Sequence, residues 1–321
     1  MRTILKIIFF LALIATFSTL FFLPISNQTP EVEQTKIVTT IFPAYDFART
    51  ISKDTNTEIK MLIKPGADLH SYEPTPQDII AIKESNIFIY NGGESESWIN
   101  SILNEIDKDN TVIVRMMDSV ELKEESLDNI LNAKSNDIKT ETDYDEHVWT
   151  NPNNVIKISE AIAQAIKNHA PDNTSTIQRN LDQFKTDLEK LDESFRSLAS
   201  QKTGTIIIAD RFPFLYFTNE YGFNYLAAFP GCSEQTEASA KTVAELIKAT
   251  KDSSNKIIFK LELSNGKIAQ TVSKSTKATV LTWHSVHNLS QADFDAGKTY
   301  LDFMQENLKN LGEALHDRTA G

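Results

Sequence analysis

Three histidines, His70, His147 and His284, lie far apart in a 321-residue chain, each at or just beyond a short apolar or β-branched run. Imidazole is the commonest protein ligand for zinc-like metals. Residues so widely spaced share an ion only where a fold gathers strand ends around one point. The chemistry they imply is capture of a divalent cation. No glycine-rich phosphate loop, nucleophile elbow or HExxH motif accompanies them.

His70 stands in Lys64-Pro-Gly-Ala-Asp-Leu-His-Ser-Tyr-Glu-Pro74, directly after the run at 58–63. Pro65 and Gly66 turn the chain there, and Pro74 and Pro76 stiffen its exit. The imidazole therefore projects from the carboxyl end of a strand, where open α/β sheets bind ligands. His147 stands in Asp145-Glu-His-Val-Trp-Thr-Asn-Pro152, with carboxylates before it and apolar residues after it. Those carboxylates either orient the ring or belong to the acidic stretch that precedes it. Taken singly, each histidine would be equally at home on a solvated loop.

The elements that must position these residues are legible from periodicity. Runs at 36–41, 58–63, 87–90 and 111–114 have strand length, with helical character at 78–84 between them. Strands alternating with helices predict a parallel sheet covered on both faces. Residues 120–146 are acidic and polar and read as a mobile loop, whose acidic stretch 137–146 is expected to gather cations. Ile177, Leu181, Phe184, Leu188, Leu191, Phe195 and Leu198 then follow at spacings of four and three, an apolar stripe on one long helix. Ser175 with Gln178 fits a capping box at its start. Some 27 residues at 1.5 Å each span about 40 Å, enough to join two lobes; an exposed stripe would instead make a coiled-coil dimer. The alternation restarts with strands at 205–209, 257–261 and 279–282 and helices at 238–250 and around 270–274. Ser290 with Asp293 caps a closing helix that runs through Leu315.

Composition narrows the class. Hydrophobic residues make up 40% and charged residues 24%, enough for globular cores, and the length suits roughly two domains. The net charge of −12, from 44 acids against 32 bases, argues against nucleic acid and suits the collection of cations. Arg2 and Lys6 precede an uncharged run at 7–23, the pattern of an export signal or of an N-terminal anchor. The single cysteine, Cys232, is far from that run, so a lipid anchor on an N-terminal cysteine is not expected; Cys232 reads as a small buried residue.

The His70 motif with Pro65-Gly66, the Glu-His147-Val-Trp segment and the long helix after them together resemble the cluster 9 metal receptors. These are the zinc- and manganese-binding extracellular proteins of ATP-binding cassette transporters, and the resemblance covers residues 36–318. It implies that His70 and His147 are metal ligands. It also implies a third ligand, His or Glu, after the first strand of the second lobe, where this chain has Arg211. A guanidinium has no free lone pair and stays protonated, so it cannot ligate a metal. Asp210 is placed either to supply an oxygen or to pair with Arg211, and the sequence leaves both open. The family's fourth ligand, an acid late in the second lobe, corresponds to the stretch Trp283-His-Ser-Val-His-Asn288. His284, nearer the strand, is the expected ligand there, with His287 an alternate or outer partner. Glu262 reads as a buried or paired carboxylate, and His169 and His316 as surface residues.

The expected fold is α/β, with two similar lobes of parallel sheet flanked by helices, joined by one long rigid helix, and a metal site in the cleft. Its expected boundaries are 1–35 for the signal or anchor and tether, 36–172, 173–203 for the helix, and 204–321. The expected metal set is His70, His147, His284 and Asp210, with His287, Arg211 and Glu146 as alternates or outer partners. An imidazole-rich set suits Zn²⁺ better than Mn²⁺, which prefers oxygen ligands; a manganese or iron receptor is the alternative. The resemblance implies an exported monomer that delivers its ion to an ABC permease and is not an enzyme. A zinc hydrolase with Glu146 as base, or a surface adhesin, are the readings from other classes.

Overall fold

In a computed structural model the described residues are 34–68, 71–131, 144–201, 204–231 and 237–315. The β-branched and aromatic runs expected to be strands form β1 (Thr35–Thr39), β2 (Thr57–Met61), β3 (Ile87–Tyr90) and β4 (Val112–Arg115), in one sheet of order β2-β1-β3-β4. Every pairing is parallel, with Ile37 opposite both Ile59 and Ile87. Parallel neighbours need crossovers, supplied by α1 (Phe42–Ile51) between β1 and β2 and by α2 (Pro76–Lys83) between β2 and β3. All four residues of β3 are buried, as a strand covered on both faces requires.

Two helices follow, α3 (Pro152–His169) and α4 (Thr174–Ser200). The buried residues of α4 are the seven of the predicted stripe, Ile177 to Leu198. Each contributes about 1.5–3 kcal/mol by leaving water, and they do so against α3 and α1 of the same chain. The stripe is thus an internal core face and not the seam of a coiled-coil dimer. The predicted capping box is absent: α4 begins at Thr174, Asn173 makes no side-chain cap, and Gln178 donates instead to Asp182 at 2.7 Å.

The second sheet holds β5 (Ile206–Phe212), β6 (Tyr225–Pro230), β7 (Ile257–Leu261) and β8 (Thr279–Trp283), in order β6-β5-β7-β8. That is the permutation of the first sheet repeated, and its crossovers are α5 (Leu215–Tyr221), α6 (Ala240–Asp252) and α7 (Lys267–Thr276). The strand β6 escaped the sequence reading, which expects no strand between 209 and 257.

The closing helix is broken into α8 (Gln291–Asp295) and α9 (Tyr300–Leu315). Ser290 does cap α8, accepting from Asp293 N. Gly297 then turns into the left-handed region at φ 71°, and Thr299 and Asp302 start a new helix with reciprocal hydrogen bonds. This second start brings α9 back to α1 of the first lobe, where Tyr300 N donates to Asp46 Oδ2 at 2.7 Å. One cluster of buried apolar residues runs from Ile37 through the α4 stripe to Phe259, so the two lobes share a core through α4. No helix among the described residues is long and apolar enough to cross a membrane; the run at 7–23 lies outside them.

Candidate metal centre

His147 opens a short 3₁₀ turn, Val148–Thr150, ahead of α3. It is 1% exposed, and Asp145 and Glu146 before it are 3% and 1% exposed. The end of the expected acidic loop is therefore buried; its stretch 132–143 lies outside the described residues. Asp145 Oδ1 accepts from His147 N at 2.8 Å and sits 3.2 Å from His147 Nδ1. That contact assigns the ring proton to Nδ1 and leaves the Nε2 lone pair for a ligand. Burial works to lower the His147 pKa, but the Asp145 carboxylate, with Glu146 adding to it, holds it above the usual imidazole range.

The two carboxylates divide their work. Asp145 orients the ring, whereas the Glu146 carboxylate turns into the first lobe and accepts from Ser95 N at 3.2 Å and from the Ser95 hydroxyl. Both lobes hold this segment. Asn91 Nδ2 donates to Glu146 O at 2.8 Å, and Tyr216 Oη donates to Asp145 O at 3.0 Å. Trp149 Nε1 donates to Ser285 O at 2.8 Å, and Tyr300 Oη to Trp149 O at 2.9 Å.

Facing His147 is His287, 6.4 Å away between ring centroids. The two rings line a cavity of about 130 Å³ together with Asp68, Arg211, Glu262 and Asn288. His287 reaches it because Val286 takes a left-handed φ of 59°, strained for a β-branched residue. The surroundings impose that turn. Glu262 accepts from Ser285 N at 2.8 Å and Ser285 Oγ at 2.6 Å, so it is paired as its sequence position suggested. Asn288 Nδ2 donates to Lys64 O at 2.9 Å and Ala67 O at 2.8 Å, and Gly66 N donates to Leu289 O at 2.8 Å. The loop that carries Asp68 is thereby fastened to the loop that carries His287. Behind His147, a Cβ on Gly231 would lie 2.9 Å from Phe212 O and 3.2 Å from His147 Cε1, so the chain passes there only as glycine.

His284 does not share this cavity. Its ring lies 4.9 Å from Phe303, its Nε2 is 3.5 Å from Glu306 Oε1, and Asn307 holds its backbone at both ends, all on α9. Strand alternation is the reason: Trp283 turns inward onto Phe214, and the next side chain falls on the helix side. Asp210 also does other work, accepting from Arg211 N at 3.0 Å and Leu261 N at 3.2 Å, which ties β5 to β7 beside a bulge. Its carboxylate does not pair with the Arg211 guanidinium, which lies 3.6 Å from Asp68 Oδ2 instead. His70 lies outside the described residues, as do Cys232 and His316, and His169 ends α3. No group of three or more His, Cys, Asp or Glu among the described residues is gathered closely enough to hold a metal.

Sequence reasoning left open whether the carboxylates before His147 orient its ring; Asp145 does so and Glu146 does not. The Asp-x-His spacing was a signal for that role. Asn288 was missed as the fastener; it adjoins a candidate ligand but has no motif of its own.

Known proteins share this framework. The chain is 28% identical to the high-affinity zinc uptake system protein ZnuA of Bacillus subtilis over 279 residues, 87% of each chain. It is 27% identical over 303 residues to the zinc-binding lipoprotein AdcA of Streptococcus pneumoniae, a match that spans 93% of this chain but only 59% of that protein. The crystal structure of the Zn(II)-bound ZnuA-like domain of Streptococcus pneumoniae AdcA matches with a TM-score of 0.72 at 26% identity, covering 88% of this chain and 99% of that one. Residues 37–314 match the family described as zinc-uptake complex component A, periplasmic. On that match, with two parallel sheets of one strand order joined through α4, the chain belongs to the zinc-uptake complex component A family.

Proposed function

We propose that this chain is an exported receptor that captures Zn²⁺ in the cleft and hands it to a membrane permease powered by an ATPase. The observation that carries the reading is the pair His147 and His287, two imidazoles facing each other across one cavity, the first with its Nδ1 held by Asp145. A metal-binding histidine commonly makes such an outer contact, which fixes the tautomer and raises ligand basicity. His70 is the third ligand of the proposal. The chain enters the cavity wall at Gly66, Ala67 and Asp68, two residues before it. His287 replaces His284 in the expected set, and Asp210 leaves it.

A nitrogen-rich set favours zinc over manganese. The function is binding and release, with no step of bond cleavage, since Glu146, the base a hydrolase would need, is occupied with Ser95. The relatives named as zinc-binding or zinc-uptake proteins support the choice of ion and the transport role. Export rests on the charged, then apolar, N-terminal run, whether it is cleaved or retained as an anchor.

The test is metal content and zinc affinity of the purified protein by mass spectrometry and competitive titration. His147→Ala and His287→Ala each lose zinc, as does His70→Ala, while His284→Ala keeps it. Zinc retained by His287→Ala and lost by His284→Ala would return the assignment to His284. Preference for Mn²⁺ over Zn²⁺ in competition would change the ion.

A further inference from the structure

The Arg211 guanidinium stands in the wall of the cavity that holds His147 and His287. It is a permanent cation beside a proposed cation site, on a side chain only 26% exposed. Its five donors are fixed in a planar fork. Among the described residues that fork meets one carboxylate, Asp68, at 3.6 Å, longer than a hydrogen bond. The other carboxylate in the wall, Glu262, already accepts from the backbone and hydroxyl of Ser285. The cavity, about 130 Å³, has room for more than a bare ion.

Charge sets the problem. Imidazole ligands are neutral, so an ion held by histidines keeps both of its positive charges, and Arg211 makes three against the two carboxylates of the wall, Asp68 and Glu262. The two imidazole nitrogens that His147 and His287 can offer also leave coordination positions for an outside group. A small oxyanion resolves both difficulties, with one oxygen toward the metal and its remaining oxygens on the guanidinium fork, the geometry in which Arg binds carboxylates and phosphates.

Resting on the receptor reading above, we infer that the cleft takes its divalent ion together with a small oxyanion, and that Arg211 is the residue that grips it. Arg211 then determines the form in which metal is recognised, an ion–anion pair instead of the aquo ion.

The experiment is zinc affinity of the full protein by chelator competition, in bicarbonate, in acetate and in perchlorate of matched ionic strength. Wild type tightens by about tenfold, 1.4 kcal/mol, in at least one of the first two relative to perchlorate. Which of the two acts separates an inorganic carbonate source from an organic carboxylate. Arg211→Gln loses the dependence, and Arg211→Lys, with the charge but not the fork, retains only part of it. Thermal unfolding that matches wild type shows that each variant is folded. Equal affinity in all three salts for wild type, or an anion effect undiminished in Arg211→Gln, overturns the inference and leaves the receptor reading standing. Absence of zinc binding in every salt overturns both.

Discussion

Asn288 donates to the carbonyl of Lys64 at 2.9 Å, a bond between residues 224 positions apart. The same amide donates to Ala67 O, so one side chain from the second lobe holds the turn that leads into Asp68. Both bonds join protein groups alone, and together they form one edge of the cavity's rim.

Asn288→Ala removes both bonds and leaves two carbonyls without them. The expected cost is about 1–3 kcal/mol of stability, read from urea unfolding. Faster zinc dissociation in stopped-flow chelation should accompany it, because the two loops are no longer held in register. Unchanged dissociation would show that the rim plays no part in retention.

Asp145→Asn keeps a short polar side chain beside His147 but removes the charge that favours Nδ1–H. Loss of such an outer partner lowers metal affinity by about 10–100-fold. Glu146→Gln, one residue on, should affect thermal stability and leave affinity near wild type, since that carboxylate serves Ser95. Zinc titration of the pair measures the contrast.

Gly231→Ala places a methyl 2.9 Å from a backbone oxygen that has little freedom to retreat, and against the His147 ring. Overpacking of this kind costs about 1–3 kcal/mol. Zinc affinity should fall together with the melting temperature. A variant that melts like wild type and binds normally would mean that β6 and β5 move apart with ease.

Glu96 gives the pH prediction. It is 2% exposed, and burial pushes its carboxyl up from 4.5 to about 7, against the opposing hydrogen bond from Gly92 N. An acid raised in the folded state binds its proton more tightly there than in the unfolded chain. Its stability contribution is thus full below pH 4.5, declines as pH rises, and is lost above about 7. The interval corresponds to roughly 3 kcal/mol at 1.36 kcal/mol per pH unit. Glu96→Gln, which cannot ionise, should melt higher than wild type at pH 8 and match it near pH 5. A parallel pH dependence of melting in the two proteins would remove Glu96 as its source.

The α4 stripe was readable because seven large apolar residues at helical spacing admit one arrangement, and all seven are buried. The parallel sheets followed from the alternation of strand-length runs with helical ones. The choice between His284 and His287 was not readable. They are three residues apart on the same loop, and the decision is made by Val286, whose positive φ no valine advertises because glycine and asparagine are the usual residues there. Asp145 and Glu146 read equally as orienting groups for His147 or as the end of an acidic stretch. Their burial depends on Ser95, Asn91 and Tyr216, partners that local pattern cannot supply. The strand β6 was missed because Tyr225–Pro230 contains no β-branched residue and ends in proline, and only its pairing with β5 makes it a strand.

The segment around His147 is pinned to Asn91 on one side and to Tyr216 on the other. A clamshell swing would tear at least one of these anchors; on the receptor reading proposed above, loading and unloading then fall to the side chains and the loop around 64–68. A docking membrane protein would then meet nearly the same silhouette whether the carrier is laden or empty. It would have to tell them apart by the texture of that small lip, and it could draw the ion out by prising the lip from Asn288 without opening the whole body.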